Sequence, residues 1–187
     1  MENKRLSMSA YNRREFIKTA GLLCGSLLLM PGCTSSNWKY ITFTDKEADC
    51  LIALCERIIP ADDCPGATDA GVINYIDRQI RLRFPEEKEI FRKGIESLQS
   101  WCQAKYNQNF EELSTEVQIN TLQMIEKNEM PQEDWTVPPG KFFRTLLDRT
   151  MQGFYGSPRH GGNRDYISFK MLKLDYPLLI GQNRYII

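Results

Sequence analysis

The chain has 187 residues, 42% hydrophobic and 26% charged, and a formal net charge of zero. That is the composition of one globular domain with a real core. With no basic excess or stripe, a nucleic acid partner is disfavoured.

Residues 1–33 follow the three-part plan of an export signal. Met1 to Lys18 is polar and basic, Ala20 to Met30 is a short apolar run, and Pro31-Gly32-Cys33 closes it with small residues. The run is too short to span a bilayer stably. Inside it, Asn12-Arg13-Arg14-Glu15-Phe16-Ile17-Lys18 resembles the bacterial twin-arginine signal, with Arg13, Arg14 and Phe16 carrying the match. The competing reading is a basic helix start with accidental arginines. Leu29-Met30-Pro31-Gly32-Cys33 resembles a lipobox in which Cys33 becomes the lipidated first residue, against a plainly cleaved signal or an uncleaved anchor. Met30 and Pro31 are its looser matches.

Residues 34–43, opening on Thr34-Ser35-Ser36-Asn37, read as a tether, and 44–187 as the folded domain. Removing residues 1–32 takes away five basic residues (Lys4, Arg5, Arg13, Arg14, Lys18) and two acidic ones (Glu2, Glu15). A chain beginning at Cys33 therefore carries a net charge of −3. The expected location is the periplasmic side of the envelope, anchored as a lipoprotein. Cys24 leaves with the signal, so Cys50, Cys55, Cys64 and Cys102 remain. Their spacing matches no zinc ribbon or iron–sulfur pattern, and both disulfides and buried thiols stay open.

Apolar periodicity then predicts an all-α domain, a compact bundle of about five helices with an irregular C-terminal tail. Thr44-Asp45-Lys46-Glu47 is a capping-box start, and Ala48, Leu51, Ile52, Cys55, Ile58 and Ile59 recur at helical spacing until Pro60. A second helix spans about Asp69 to Phe84, with Val72, Ile73, Ile76, Ile80 and Phe84 inward. Pro85 opens a third, whose inner face is Phe91, Ile95, Leu98 and Cys102. A fourth begins near Ser114 with Val117, Leu122 and Ile125 inward. A Pro-rich loop, 129–140, holds an unshielded Trp135. The fifth buries Phe142, Phe143, Leu146, Leu147, Thr150, Met151 and Phe154. Residues Tyr166 to Met171 alternate like a strand yet suit a short helix equally.

After the fifth helix comes Phe154-Tyr155-Gly156-Ser157-Pro158-Arg159-His160-Gly161-Gly162-Asn163-Arg164-Asp165, with the chain's sole histidine. Ser-Pro fixes a bend and Gly-Gly-Asn adopts positive φ cheaply, so this is an ordered turn carrying directional polar groups. It is either a binding loop or a structural corner. Ser157, His160 and Asp165 could be drawn as a triad, but all three lie in one loop and no G-x-S-x-G elbow exists. Asp62-Asp63 could hold calcium or serve as acid and base, but neighbouring carboxylates on a Pro-bounded loop read more simply as a helix-ending turn or an N-cap for the next element. No G-x-G-x-x-G follows a strand and no C-x-x-C-H is present, so no cofactor or metal is expected in this chain.

Twin-arginine export carries folded cargo, commonly because a cofactor is loaded beforehand. An exported chain without a cofactor site either folds too fast for the other route or carries a folded, cofactor-bearing partner across with it, and the second is the preferred reading. The residues add a resemblance. Arg57-Ile58-Ile59-Pro60-Ala61-Asp62-Asp63, Pro65-Gly66-Ala67, Ala70-Gly71-Val72 and Tyr75-Ile76-Asp77 resemble the opening of the gluconate 2-dehydrogenase subunit 3 family. Phe154-Tyr155, Pro158 and Gly161-Gly162-Asn163-Arg164-Asp165 resemble its closing signature. The similarity spans about residues 42–172, with departures in the tail, where Phe169-Lys170 stands for a Trp-Lys.

This resemblance implies a non-catalytic small subunit of a membrane-associated dehydrogenase. The large partner would be an FAD flavoprotein of the glucose-methanol-choline type, oxidising a sugar, sugar acid or polyol. A c-type cytochrome subunit and the twin-arginine translocase would be further partners. Tyr155, Arg159, His160, Asn163, Arg164 and Asp165 are then the expected partner interface. The alternatives are a free-standing envelope lipoprotein that binds ligands, or an independent enzyme.

Overall fold

A computed structural model describes residues 39–174 apart from 132 and 134. The export-signal residues Arg13, Arg14 and Phe16, the lipidation candidate Cys33 and the tail beyond Leu174 lie outside the described residues. Within them the fold is all helical, with six α-helices: α1 Asp45–Ile58, α2 Val72–Leu82, α3 Lys88–Tyr106, α4 Thr115–Glu126, α5 Pro139–Tyr155 and α6 Ile167–Met171. The sixth settles the ambiguity at Tyr166–Met171 in favour of helix. No described helix is long and apolar enough to cross a membrane.

Local signals set most helix ends. Thr44 and Glu47 form the full capping box, the Glu47 carboxylate accepting from the Thr44 backbone N–H at 2.8 Å. Thr44→Ala removes the acceptor for the Glu47 amide, and we expect a loss of about 1 kcal/mol. A urea melt of the purified chain, wild type against variant, measures it. Ser114 caps α4. The second helix starts three residues later than its apolar pattern suggests, at Val72. Gly71 adopts φ +67°, a left-handed conformation that cannot continue a helix backwards. It also ends two residues early, so Phe84 lies beyond it, half-buried.

The core forms where the inward stripes meet, with α5 touching each of α1, α2, α3 and α4. Phe91, Ile95, Leu98 and Cys102 are buried as the spacing predicts, as are Phe142, Leu146 and Phe154. Rings chain through the centre: Phe43 to Phe91 at 5.8 Å, Phe91 to Phe142 at 6.3 Å, and Phe142 to Trp135 at 6.0 Å between centroids. Trp135 is therefore not unshielded: it is buried against α5, drawn in by the apolar area its loop covers.

Met151 departs the other way and is exposed. It sits about 140° around α5 from Leu146, off the buried stripe, at 100° per residue. Thr150 is buried as expected, and Arg149 is the inward residue that the apolar pattern did not include. The segment assigned to the tether also ends inside the core. Tyr40 and Phe43 are buried, and Asp77 of α2 accepts from the backbone N–H groups of Ile41 and Thr42 at 2.8 and 2.7 Å. Residues 40–43 thus belong to the domain.

Cys50, Cys55, Cys64 and Cys102 are free thiols, the first, second and fourth of them buried. Burial pushes Cys55 and Cys102 each up to about 12 and raises Cys50 as well. Held protonated, they act as small core residues; Cys55 shares a 3.3 Å contact with the Thr150 hydroxyl.

Candidate functional site

Two loops build the site, one before α2 and one after α5. Glu56, in the last turn of α1, folds the first. Its carboxylate accepts from the Ala61 N–H at 2.8 Å, and from the Thr68 N–H and hydroxyl at 2.9 and 2.6 Å. Asp62 accepts from the Cys64 N–H at 2.8 Å, so it closes a side-chain turn. Asp62 and Asp63 are both exposed. Among the described residues no group of three His, Cys, Asp or Glu side chains is placed to hold a metal.

The second loop leaves α5 at Gly156 and makes a single turn at Pro158–His160. It then folds back so tightly on α5 that a Cβ at Gly162 would lie 2.1 Å from the Gly153 carbonyl oxygen. Only glycine allows that backbone approach. Next, Asn163 turns the chain in the left-handed region, φ +46°, followed by Asp165 at +54° and Tyr166 at +59°. The amide of Asn163 holds both ends of the loop. Its Nδ2 donates to the Gly156 carbonyl at 2.8 Å and its Oδ1 accepts from the Ser168 N–H, in α6, at 2.9 Å.

These two loops meet. The Arg164 N–H donates to the Ala70 carbonyl at 3.0 Å, and the Arg164 guanidinium lies over Gly71. Gly161 rests on Asn74 and Arg78 of α2, and Gln79 points its Nε2 at the His160 carbonyl oxygen, 3.5 Å away. Segments about ninety residues apart thereby form one rigid platform at the start of α2 and the end of α5. A family model described as gluconate 2-dehydrogenase subunit 3 matches residues 45–175, across both loops. The chain belongs to the gluconate 2-dehydrogenase subunit 3 family. No curated protein and no solved structure matches it.

On this subunit 3 platform, Tyr155, Arg159, Arg164 and Asp165 are exposed and His160 is half-buried. Asn163 differs from its expected place at the surface. Its side chain is 0% exposed, because both its polar atoms are consumed by the loop's own backbone. It holds the contact residues without being one. The triad arrangement does not form: His160 Nε2 accepts from Arg159 Nε at 3.1 Å, and among the described residues neither Ser157 nor Asp165 bonds to it. Burial first, then the charges of Arg159, Arg83 and Arg78, hold His160 below its ordinary value.

Arg78 and Arg83 were not singled out by sequence reasoning. The dense run Arg78-Gln79-Ile80-Arg81-Leu82-Arg83 was the signal, but only the fold brings it beside a loop eighty residues away. Glu56 and Arg149 were also missed, each looking like an ordinary solvated charge on its helix.

Proposed function

We propose that this chain is the non-catalytic small subunit of a membrane-associated, FAD-dependent dehydrogenase of the glucose-methanol-choline type, acting on a sugar, sugar acid or polyol. It escorts the folded flavoprotein through twin-arginine export and braces it on the periplasmic side, held there by the lipid on Cys33. Electrons leave the partner's FAD for a c-type cytochrome or another acceptor. One observation carries the reading: both segments that bear the family signatures converge into a single rigid platform whose outward groups are Tyr155, Arg159 and Arg164. Exposed aromatic and arginine side chains on a fixed backbone are what protein interfaces use as anchors.

Co-purification from the envelope tests this. The expected companion is a polypeptide with a flavin absorption spectrum, and Arg159→Glu with Arg164→Glu reduces its recovery at least tenfold. Full recovery with that double variant rejects the assigned face. Dehydrogenase activity that is still fully exported after deletion of the gene, or a prosthetic group retained by the lone polypeptide, rejects the escort role itself.

A further inference from the structure

Where the closing loop packs on α2, one edge of this platform gathers arginines around His160. Arg159 and His160 come from the loop, and Arg78 and Arg83 from the end of α2. The Cδ of Arg78 lies 3.1 Å from where a Cβ on Gly161 would sit. Arg83, which ends α2, and Arg78 both act electrostatically on His160 from that helix, while Arg159 does so from the loop itself. All three arginines are exposed, and among the described residues none pairs with a carboxylate. Asp165, the loop's own carboxylate, forms no ion pair there either. The Arg159 Nε–His160 Nε2 bond requires that ring nitrogen to be unprotonated, so the imidazole supplies an acceptor among three cations. Three guanidinium groups without a counter-charge repel one another, and incoming carboxylates remove that cost.

We propose that Arg78, Arg83 and Arg159, grouped around His160, form the seat for an acidic segment of the partner protein, with at least two Asp or Glu carboxylates bridging the end of α2 and the loop. This deepens the reading of the loop as the partner face and rests on it. The flanks favour a protein over an anionic membrane. Tyr155, 39% exposed, and Met151, 42%, lie one turn apart on α5, and Leu82, 68% exposed, stands between Arg81 and Arg83. Tyr, Met and Arg together make the composition of a protein interface, and the guanidinium fork matches carboxylates two bonds at a time. A chain of net charge −3 from Cys33 onward has no general attraction to anionic lipid.

A pH dependence follows. In the free subunit the groups facing His160 are Arg159 on its own loop and Arg78 and Arg83 on α2, all positive, and its pKa is lowered. Bound carboxylates raise it, so binding takes up protons and affinity grows as the pH falls through the interval between the bound and the free value.

His160 is the chain's sole histidine, so its ring gives one NMR signal. The probe is an acetylated hexaglutamate peptide titrated into the mature chain at low salt. We expect His160 to titrate below its ordinary range when free and to move upward with peptide. Arg78→Gln with Arg83→Gln should weaken peptide binding at least fivefold, while the control pair Lys141→Gln with Arg144→Gln leaves it unchanged. No peptide-induced shift, or equal weakening by the control pair, overturns the proposal. A shift produced by phosphatidylglycerol vesicles but not by peptide overturns it in favour of lipid. Urea melts confirm that both pairs remain folded. A co-expressed flavoprotein subunit separates the two levels of inference. Recovery at the wild-type level by Arg78→Gln/Arg83→Gln sinks the acidic seat and leaves the escort reading standing. Failure of the wild type to recover it sinks the escort reading, whatever the peptide does.

Discussion

Arg149→Met should lower the stability of the domain by about 3 kcal/mol. Arg149 lies on α5 with only 8% of its surface exposed. It grips the Glu87 carboxylate with two bonds, from Nε at 2.7 Å and from Nη2, and gives Nη1 to the Gln152 amide oxygen. That same oxygen accepts from the Tyr75 hydroxyl at 2.8 Å, and the guanidinium stacks 3.5 Å from the centre of the Phe84 ring. Phe84 and Glu87 flank the turn between α2 and α3, so one side chain clamps that turn and α2 onto α5. The Glu87 hydrogen bonds hold the guanidinium's pKa above its ordinary value, against the pull of burial.

Methionine keeps the apolar stem but strands a carboxylate whose side chain is only 16% exposed. Partial access to water limits the loss, which is why the expected value lies at the lower end for broken buried pairs. Lysine at 149 keeps the charge without the fork and should cost about half as much. The discriminating measurement is the double variant Arg149→Met with Glu87→Met. If stranding of the carboxylate dominates, it regains most of the lost stability in urea melts. If the stacking and the Gln152 bond dominate, it stays as weak as Arg149→Met alone.

The contrast between this clamp and the helices around it shows what could be read in advance. Helix faces are local: Phe91, Ile95, Leu98 and Cys102 recur at helical spacing, so their burial follows from spacing and apolarity alone. The Thr44–Glu47 capping box is equally local. Asp77 is different, because a carboxylate on an amphipathic helix reads as solvent-facing until residues 41–43 fold over it. Trp135 and Met151 were misplaced for a related reason. Periodicity ranks the positions of one helix, whereas the neighbours available decide which large side chain is covered. The closing loop was legible as an ordered turn from Ser-Pro and Gly-Gly-Asn, since backbone geometry is encoded in residue type. Its chemistry was only half legible: Arg159 and His160 are in the motif, but Arg78 and Arg83 reach them through the tertiary fold.

Asn163 carries the second large effect, and its position makes the effect local. Alanine there removes the acceptor for the Ser168 N–H and the donor for the Gly156 carbonyl, and leaves a side chain without Asn's tolerance at φ +46°. Unmade buried bonds and the strained backbone together amount to about 3 kcal/mol. Because both lost bonds lie within the loop and at the start of α6, this loss should open residues 156–171 without unfolding the five larger helices. Hydrogen exchange then quickens at Ser168, while the global urea midpoint moves little. Asn163→Gly separates the causes, since it tolerates the positive φ but still lacks both bonds. We expect it to recover about 1 kcal/mol of the exchange penalty. Equal penalties for Ala and Gly would assign the whole effect to the amide bonds. The functional consequence distinguishes a holder from a contact: a side chain with no exposed surface cannot touch a partner, yet Asn163→Ala should cut flavoprotein recovery as severely as Arg159→Glu with Arg164→Glu. Undiminished recovery from Asn163→Ala would mean that the loop's fixed geometry plays no part in docking, and that a flexible display of Arg159 and Arg164 suffices.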